Sequence, residues 1–333
     1  MKVAFDAFGT DGSPDTEIKA VNEAIKQGIE VILVGDKEKL ASVDSRIEIV
    51  DAKEIITMDE SPSLVIRGKK DASMRVAIEL VAKGRADAVV SAGNSGAMMA
   101  LSMLILKKLP GVYRPAIAGV MPSYKGHTVF IDMGANVDCK PVHLVQFAVM
   151  GSVYAEKLFN ITNPNIGLLS NGEEDSKGNE LTHQTHELLK KTSLNYKGYV
   201  EGKDIYTGDV DVIVADGFVG NAVLKASEGV ADMITKMIKD SYKASPISIF
   251  GYLLSVGAFN RLKKRIDYAE YGGAPLIGIN GLSIISHGRS NVKALVSSLA
   301  LSKRFYETRL NYAIIEELNR NTALLNNINE ENL

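Results

Sequence analysis

Residues 86–106 read ADAVVSAGNSGAMMALSMLIL, and the fold follows from how this stretch is punctuated. The apolar run 88–90 predicts a buried strand. Gly93-Asn94-Ser95-Gly96 predicts a tight turn, and the Ala/Met/Leu-rich remainder has helical length. A strand feeding a helix through glycines leaves backbone N–H groups exposed at the helix N-terminus, where an anion is held without a side-chain cation. A second copy lies at 209–225, DVDVIVADGFVGNAVLK. Without gaps, Asp87 falls on Asp211, Gly93 on Gly217 and Gly96 on Gly220. Two such units predict two anion-binding lips on a shared cleft.

Working outward, strands are expected at 3–6, 30–34, 46–50, 116–121, 128–132, 165–169, 197–200 and 210–215. Helices are expected at 17–26, 72–83, 141–159, 180–191 and 222–241, and from Ser290 to about Asn319. Residues 57–70 read as a polar connection, and the Gly-rich segment before Ser290 as a turn with a strand pair. Strands that are apolar nearly throughout, alternating with helices, indicate a mostly parallel sheet covered on both faces. The expectation is a three-layer α/β/α domain spanning 1–333, in two closely packed lobes. Loops 6–14, 92–96, 132–141, 170–179 and 216–221 follow strands and carry the unusual residues, so they predict a common crevice.

Composition narrows the function. A net charge of −2 supplies no broad basic field, which argues against nucleic acid. The single Cys139 rules out an internal disulfide and suits a reducing cytoplasm. The N-terminus meets Asp6 too early for a signal peptide, and no apolar run approaches the ~20 residues of a bilayer span. The GxGxxG, Walker and GxSxG patterns are missing, so dinucleotide, P-loop and serine-hydrolase readings lack support. Cys139 has no activating base nearby and reads as a small buried side chain. His183 and His186 lack a matching carboxylate for a metal site, and no metal or cofactor is expected.

The loops themselves offer backbone donors, amides and one lysine. Gly134-Ala135-Asn136 turns after a strand with N–H groups available to an oxyanion or phosphate, with Asp138 as the alternative, a helix cap. The loop 172–179 gathers Glu173, Glu174 and Asp175 with Lys177, and Asn179 reads also as an N-cap. Asp216 and Asn221 flank Gly217 and Gly220, and Asn221 has the same double reading. Asp6 is placed to hold the loop that follows it. His287 is the best-placed histidine for a base or donor.

The ordered segments DAFGTDGSP (6–14), SAGNSGAMMA (91–100), DMGANVDCKP (132–141), GEEDSKGNEL (172–181), DGFVGNAVLK (216–225) and EYGGAPLIGINGLSIISHGRSN (270–291) resemble the bacterial phosphate acyltransferase (PlsX) family over about residues 1–310. Departures are small: Phe8 and Thr10 where Met and Gly are usual, Ser95 where Thr is frequent, and Asn171 and Ser176 in the acidic loop. The resemblance implies a fold like the isocitrate/isopropylmalate dehydrogenases and phosphotransacetylases. It implies transfer of an acyl group from acyl carrier protein to inorganic phosphate, a homodimer, no metal, and an acyl phosphate passed to a membrane glycerol-3-phosphate acyltransferase. Combined with the loops, it assigns phosphate to Asn94, Ser95, Gly96, Gly134, Ala135 and Asn136. Charge stabilisation goes to Lys177, Asn179, Asn221 and His287. Asp6, Glu173, Glu174, Asp216, Gly217 and Gly220 line the cleft. Competing expectations are a phosphotransacetylase using acyl-CoA and a non-catalytic acyl-binding scaffold.

One segment breaks the rhythm. SPISIFGYLLSVGAFNRLKKR (245–265) is apolar, too short to span, and ends in a basic cluster. It predicts a protruding amphipathic helical hairpin whose Ile249, Phe250, Leu253, Leu254, Arg261, Lys263 and Lys264 meet an anionic membrane surface on the cytoplasmic side, carrier protein or a second subunit. Residues 320–333 are expected to be a polar tail.

Overall fold

The computed structural model of the chain describes residues 1–243, 245–266 and 272–321. Its strands are β1 (Lys2–Asp6), β2 (Glu30–Gly35), β3 (Glu48–Asp51), β4 (Ala88–Ser91), β5 (Ala116–Ser123), β6 (Gly126–Ile131), β7 (Ile166–Leu169), β8 (Tyr196–Val200), β9 (Val212–Val214), β10 (Ala274–Ile277) and β11 (Leu282–Ile285). They form one sheet in the order β3-β2-β1-β4-β11-β10-β5-β6-β9-β7-β8. The outer groups β3 to β11 and β6 to β8 are parallel within themselves. Antiparallel pairing through β10 and β5 joins them, so the two groups run in opposite directions.

The register explains why both groups serve one cleft. Ile285 pairs with Ala274, Leu276 with Ile117, and Ala118 with Ile131. Counting along these pairs, the ends of β11 and β6 finish about one residue step, ~3.4 Å, from the same level. Ser91 is in register with Ile285, and Val214 with Ile131. The loops leaving β4, β11, β6 and β9 therefore start from a common line across the middle of the sheet.

Helices cover both faces because alternate strand residues point to opposite sides. Val3, Phe5, Leu33 and Val90 belong to one extended buried cluster that also takes in residues of α1 (Asp15–Lys26), α9 (Val292–Glu307), α10 (Leu310–Arg320) and α5 (Pro141–Phe159), the last packed on β6 and β9. Ala4, Ile32 and Val89 face α3 (Ser73–Ala82) and α4 (Ser95–Ile105) through another. A small third cluster holds Met121, Phe130, Met133 and Ile213, with Leu224 of α7 (Gly217–Lys243) packed on it. The strand–turn–helix repeat extends to its aspartates. Lys2 N–H donates to Asp87 Oδ2 at 2.7 Å, and Asn165 N–H to Asp211 Oδ2 at 2.7 Å.

Some expected boundaries move. The connection 57–70 contains a short helix, α2 (Pro62–Arg67), begun by a proline that fits a first turn. The final helix is broken at Arg309, whose φ of 51° is left-handed, separating α9 from α10. The second GxxG is not a turn before a helix at 222. Gly217–Gly220 is already the first turn of α7. That helix packs against α8 (Pro246–Ile266), with Tyr242, Tyr252 and Phe259 forming an aromatic cluster between them. The expected tail 320–333 lies almost wholly outside the described residues, as do the side chains of Lys263 and Lys264.

Candidate active site

Two buried aspartates organise the loops at the centre of the sheet. Asp6, at the end of β1, accepts from Ser73 Oγ at 2.7 Å, Ser91 Oγ at 2.6 Å and Phe8 N–H at 3.2 Å. Ser91 Oγ in turn accepts Gly93 N–H at 3.1 Å. Asp6 thus fixes the first lip through a relay, and burial pushes its carboxyl up. The loops after β1, β4 and β11 are pinned together: Asp11 N–H donates to Gly288 O and Ser286 N–H to Ser91 O, both at 2.8 Å. A β-carbon on Gly9 would lie 2.7 Å from the amide nitrogens of Ala92 and Gly93, so only glycine permits this approach.

At the first lip, Asn94 caps α4. Its Oδ1 accepts Ala97 N–H at 3.0 Å, while Nδ2 donates to the carbonyls of Thr57, Met58 and Glu60. The Asn94 side chain is therefore structural. Among the described residues no protein acceptor takes the backbone N–H of Ser95 or Gly96, in the open first turn of α4. An anion can be held there.

The second expected phosphate loop is corrected. Gly134 and Ala135 N–H donate to Asp132 Oδ1 at 3.2 and 3.0 Å, and Asn136 N–H to Oδ2 at 2.8 Å. Asn136 Nδ2 donates to Pro115 O at 2.7 Å and to Asp132 Oδ2 at 2.8 Å, and Ile117 N–H reaches Oδ1 at 3.0 Å. The chain's own carboxylate fills this nest, so Gly134, Ala135 and Asn136 have no N–H left for phosphate. Burial pushes the Asp132 carboxyl up and the donors around it pull it back. Asp138 is no helix cap, since α5 is capped at Lys140, whose N–H donates to His143 Nδ1 at 3.0 Å.

The Asp132 nest supports α7. Gly217 N–H donates to Asn136 O at 2.8 Å, and a β-carbon on Gly220 would collide with the Asp132 carbonyl oxygen. Asp216 Oδ1 accepts Phe218 and Val219 N–H at 3.0 Å and is the cap of α7. Asn221 is therefore not a cap but an exposed side chain one turn into the helix, with Gly134 against its Cβ.

Among the described residues, the expected single crevice is divided between at least two cavities. The larger, about 540 Å³, brings together Ser95, Asn221 and His287, and adds Arg289, Lys225 and an apolar arm of Ile117, Met121, Met133 and Leu224. His287 Nδ1 accepts Arg289 N–H at 3.1 Å, so a neutral imidazole carries its proton on Nε2 and acts there as a donor. Lys225 is ion-paired with Glu228 at 2.9 Å, whereas the Arg289 guanidinium has no partner among the described residues. The smaller cavity, about 400 Å³, holds Asn179 and Asp216 with Leu144, Leu169 and Asn171. Asn179 Oδ1 caps α6 (Glu180–Leu189) by accepting Thr182 N–H at 2.9 Å.

Lys177, Glu173 and Glu174 line neither cavity. The Lys177 stem lies along Gly172, and Glu173 pairs with Lys203 at 3.2 Å. His186 stacks on Tyr199 and bonds Tyr196 Oη, with Asp175 3.3 Å away, which makes it an anchor for loop 170–179. Burial pushes the Cys139 thiol up to about 12, so it is no nucleophile. Sequence reasoning missed Arg289 and Asp132. Arg289 stands two residues beyond His287, and an Asp opening a Gly-Ala-Asn turn is a signal for side-chain capture of backbone N–H.

The chain has relatives among known proteins. The profile of the family described as "Fatty acid synthesis protein" matches residues 1–312. The phosphate acyltransferase of Geobacter sulfurreducens is 51% identical over 326 residues, covering 96% of this chain and 94% of that one. That of Geotalea uraniireducens is 52% identical over 332 residues, covering 97% and 96%. A phosphotransacetylase structure from Streptococcus pyogenes has the same fold, with a TM-score of 0.60, 19% identity and 94% coverage of both chains.

Proposed function

This chain belongs to the fatty acid synthesis protein family and is a phosphate acyltransferase, and we propose that it takes its acyl group from acyl carrier protein and delivers it to orthophosphate in the larger cavity. A phosphate oxygen attacks the thioester carbonyl carbon, a C–O bond forms, the C–S bond breaks, and the carrier thiol leaves with a proton. The products are acyl phosphate and free carrier protein. The open amides of Ser95 and Gly96 hold phosphate oxygens, with the Arg289 guanidinium as counter-charge. The Asn221 amide and His287 Nε2–H serve the carbonyl oxygen as charge develops on it, a role worth ~10²–10³ in rate per donor. Positioning of two reactants supplies much of the remainder. The observation that carries the reading is this convergence of an open helix N-terminus, an amide, a donor imidazole and a guanidinium without a partner among the described residues, beside an apolar arm in one cleft.

Lys177 keeps a second place in the proposal, as a cation brought by loop 170–179 over the bound carrier arm. Trapping the product with hydroxylamine tests the whole reading. Acyl hydroxamate formation above the enzyme-free rate must require orthophosphate and be faster with the acyl carrier protein thioester than with acyl-CoA. Phosphate-dependent product from acyl-CoA alone would make the protein a phosphotransacetylase, and no product at all would leave a scaffold.

We also propose that α7 and α8 meet a membrane surface or a second subunit. Met233, Met237, Ile247, Phe250, Leu253 and Leu254 are exposed along the pair, and no described helix is long and apolar enough to cross a membrane. Contact at the inner face of the cell membrane would deliver an insoluble acyl phosphate to a membrane glycerol-3-phosphate acyltransferase. Co-flotation with anionic liposomes that is lost in Leu254→Glu supports the membrane contact, and unchanged flotation refutes it.

A further inference from the structure

Ile117, Gly119, Val120 and Met121 of β5 line the larger cavity, and three of them, Ile117, Gly119 and Met121, are alternate residues. Period-two spacing puts them on one face of the strand, and the middle one has no side chain. The gap is not open to solvent. A β-carbon at position 119 would lie 2.8 Å from Met133 Cε and closer still to its sulfur, so the Met133 thioether lies folded across Gly119. The Met133 backbone is fixed: its N–H donates to Ile117 O at 2.9 Å, and it follows the fully hydrogen-bonded Asp132. Its side chain is unbranched with three rotatable bonds, and it belongs to the smallest of the buried clusters.

The cavity lining has a polar set, Ser95, Asn221, His287 and Arg289, and an apolar set, and on α7 the next residue on the same face after Asn221 is Leu224, packed with Met121 and Met133. For a thioester whose carbonyl lies at Asn221, the neighbouring apolar surface for the hydrocarbon tail is the lining of Leu224, Met121, Met133 and Gly119.

We propose that Gly119 and Met133 together set the length of the acyl chain that the enzyme accepts, with the Met133 thioether as a movable end-stop seated in the space left by Gly119. This rests on the acyl-transfer reading above and adds which residues select among donors. A side chain at 119 pushes the end-stop into the arm and shortens it, and truncation at 133 lengthens it. A hydrophobic pocket discriminates one methylene by roughly 10–200-fold.

The experiment measures kcat/KM for a ladder of saturated acyl donors with wild type, Gly119→Ala and Met133→Ala, with circular dichroism and thermal melts as folding controls. The expected result is opposite shifts of the optimum, shorter for Gly119→Ala and longer for Met133→Ala, each changing the long-to-short preference about tenfold or more. Folded variants that lose activity equally at every chain length, or keep the wild-type profile, overturn the assignment. If Gly119→Ala does not fold, Met133→Ala carries the test alone. Absence of acyl phosphate from wild type with every donor would instead fail the acyl-transfer reading, a distinguishable outcome.

Discussion

Replacing Asp132 by Asn removes one negative charge and almost no volume, and it tests whether the carboxylate rather than a ligand organises the second lip. In the native protein Oδ1 accepts from Ile117, Gly134 and Ala135 N–H, and Oδ2 from Asn136 N–H and Nδ2. Every neighbour in this ring donates, so a proton on Asp132 would point at another N–H, and the ionised form fits. An asparagine keeps its carbonyl with the first three donors and turns its NH₂ toward the two Asn136 donors, each 2.8 Å away. Each stranded buried donor costs about 1–3 kcal/mol, so the loss is ~2–6 kcal/mol before relaxation and about 3 kcal/mol after it. Acyl hydroxamate formation should also fall at least tenfold, because the nest underlies Gly217 and Gly134, which rests on Asn221. Urea denaturation gives the stability change directly, with the m-value as a check that the denatured state is unaltered. A stability within about 0.5 kcal/mol of wild type would refute the reasoning, since only a protonated Asp132 makes the amide a near-isostere.

Asn221→Ala should lower kcat about 100-fold at unchanged urea midpoint, because the side chain is exposed and caps nothing; a few-fold effect removes it from the reaction. Arg289→Gln should raise the phosphate KM tenfold or more with a smaller effect on kcat, and Lys177→Ala should do so less; the reverse order would make Lys177 the phosphate's cation. His143 gives a pH prediction. Burial, aided by Arg114, Lys140 and Lys108, holds its imidazole down at about 4, against ~6.5 in an unfolded chain. The unfolded state then binds the extra proton between these values, so stability is full above about pH 6.5 and falls by roughly 3 kcal/mol as the pH drops toward 4. His143→Asn, which keeps an acceptor for Lys140 N–H, should flatten that slope in melts across the range.

Much of the fold is legible locally. Residues 88–90 are buried on both faces and read as a continuous apolar run, and Pro141–Phe159 begins at its proline and ends at a left-handed Asn160. The break at Arg309 was not legible, because no glycine or proline marks it and the periodicity runs on across it. Asn221 was misplaced for a related reason: Gly217 and Gly220 look like a turn, but their lack of side chains serves close packing on Asn136 and Asp132 instead.

By itself the sequence determined the layered α/β architecture, the repeated strand–helix unit and the open amides of Ser95 and Gly96, because each depends on residues within a few positions of one another. Only the tertiary structure decided that Asp132 closes the second nest, that Arg289 and Met133 share a cavity with Asn221, and that Lys177 stands outside it. Those outcomes depend on which distant strand end a loop leaves and on which acceptor reaches a backbone N–H first. Local pattern carries no record of that competition.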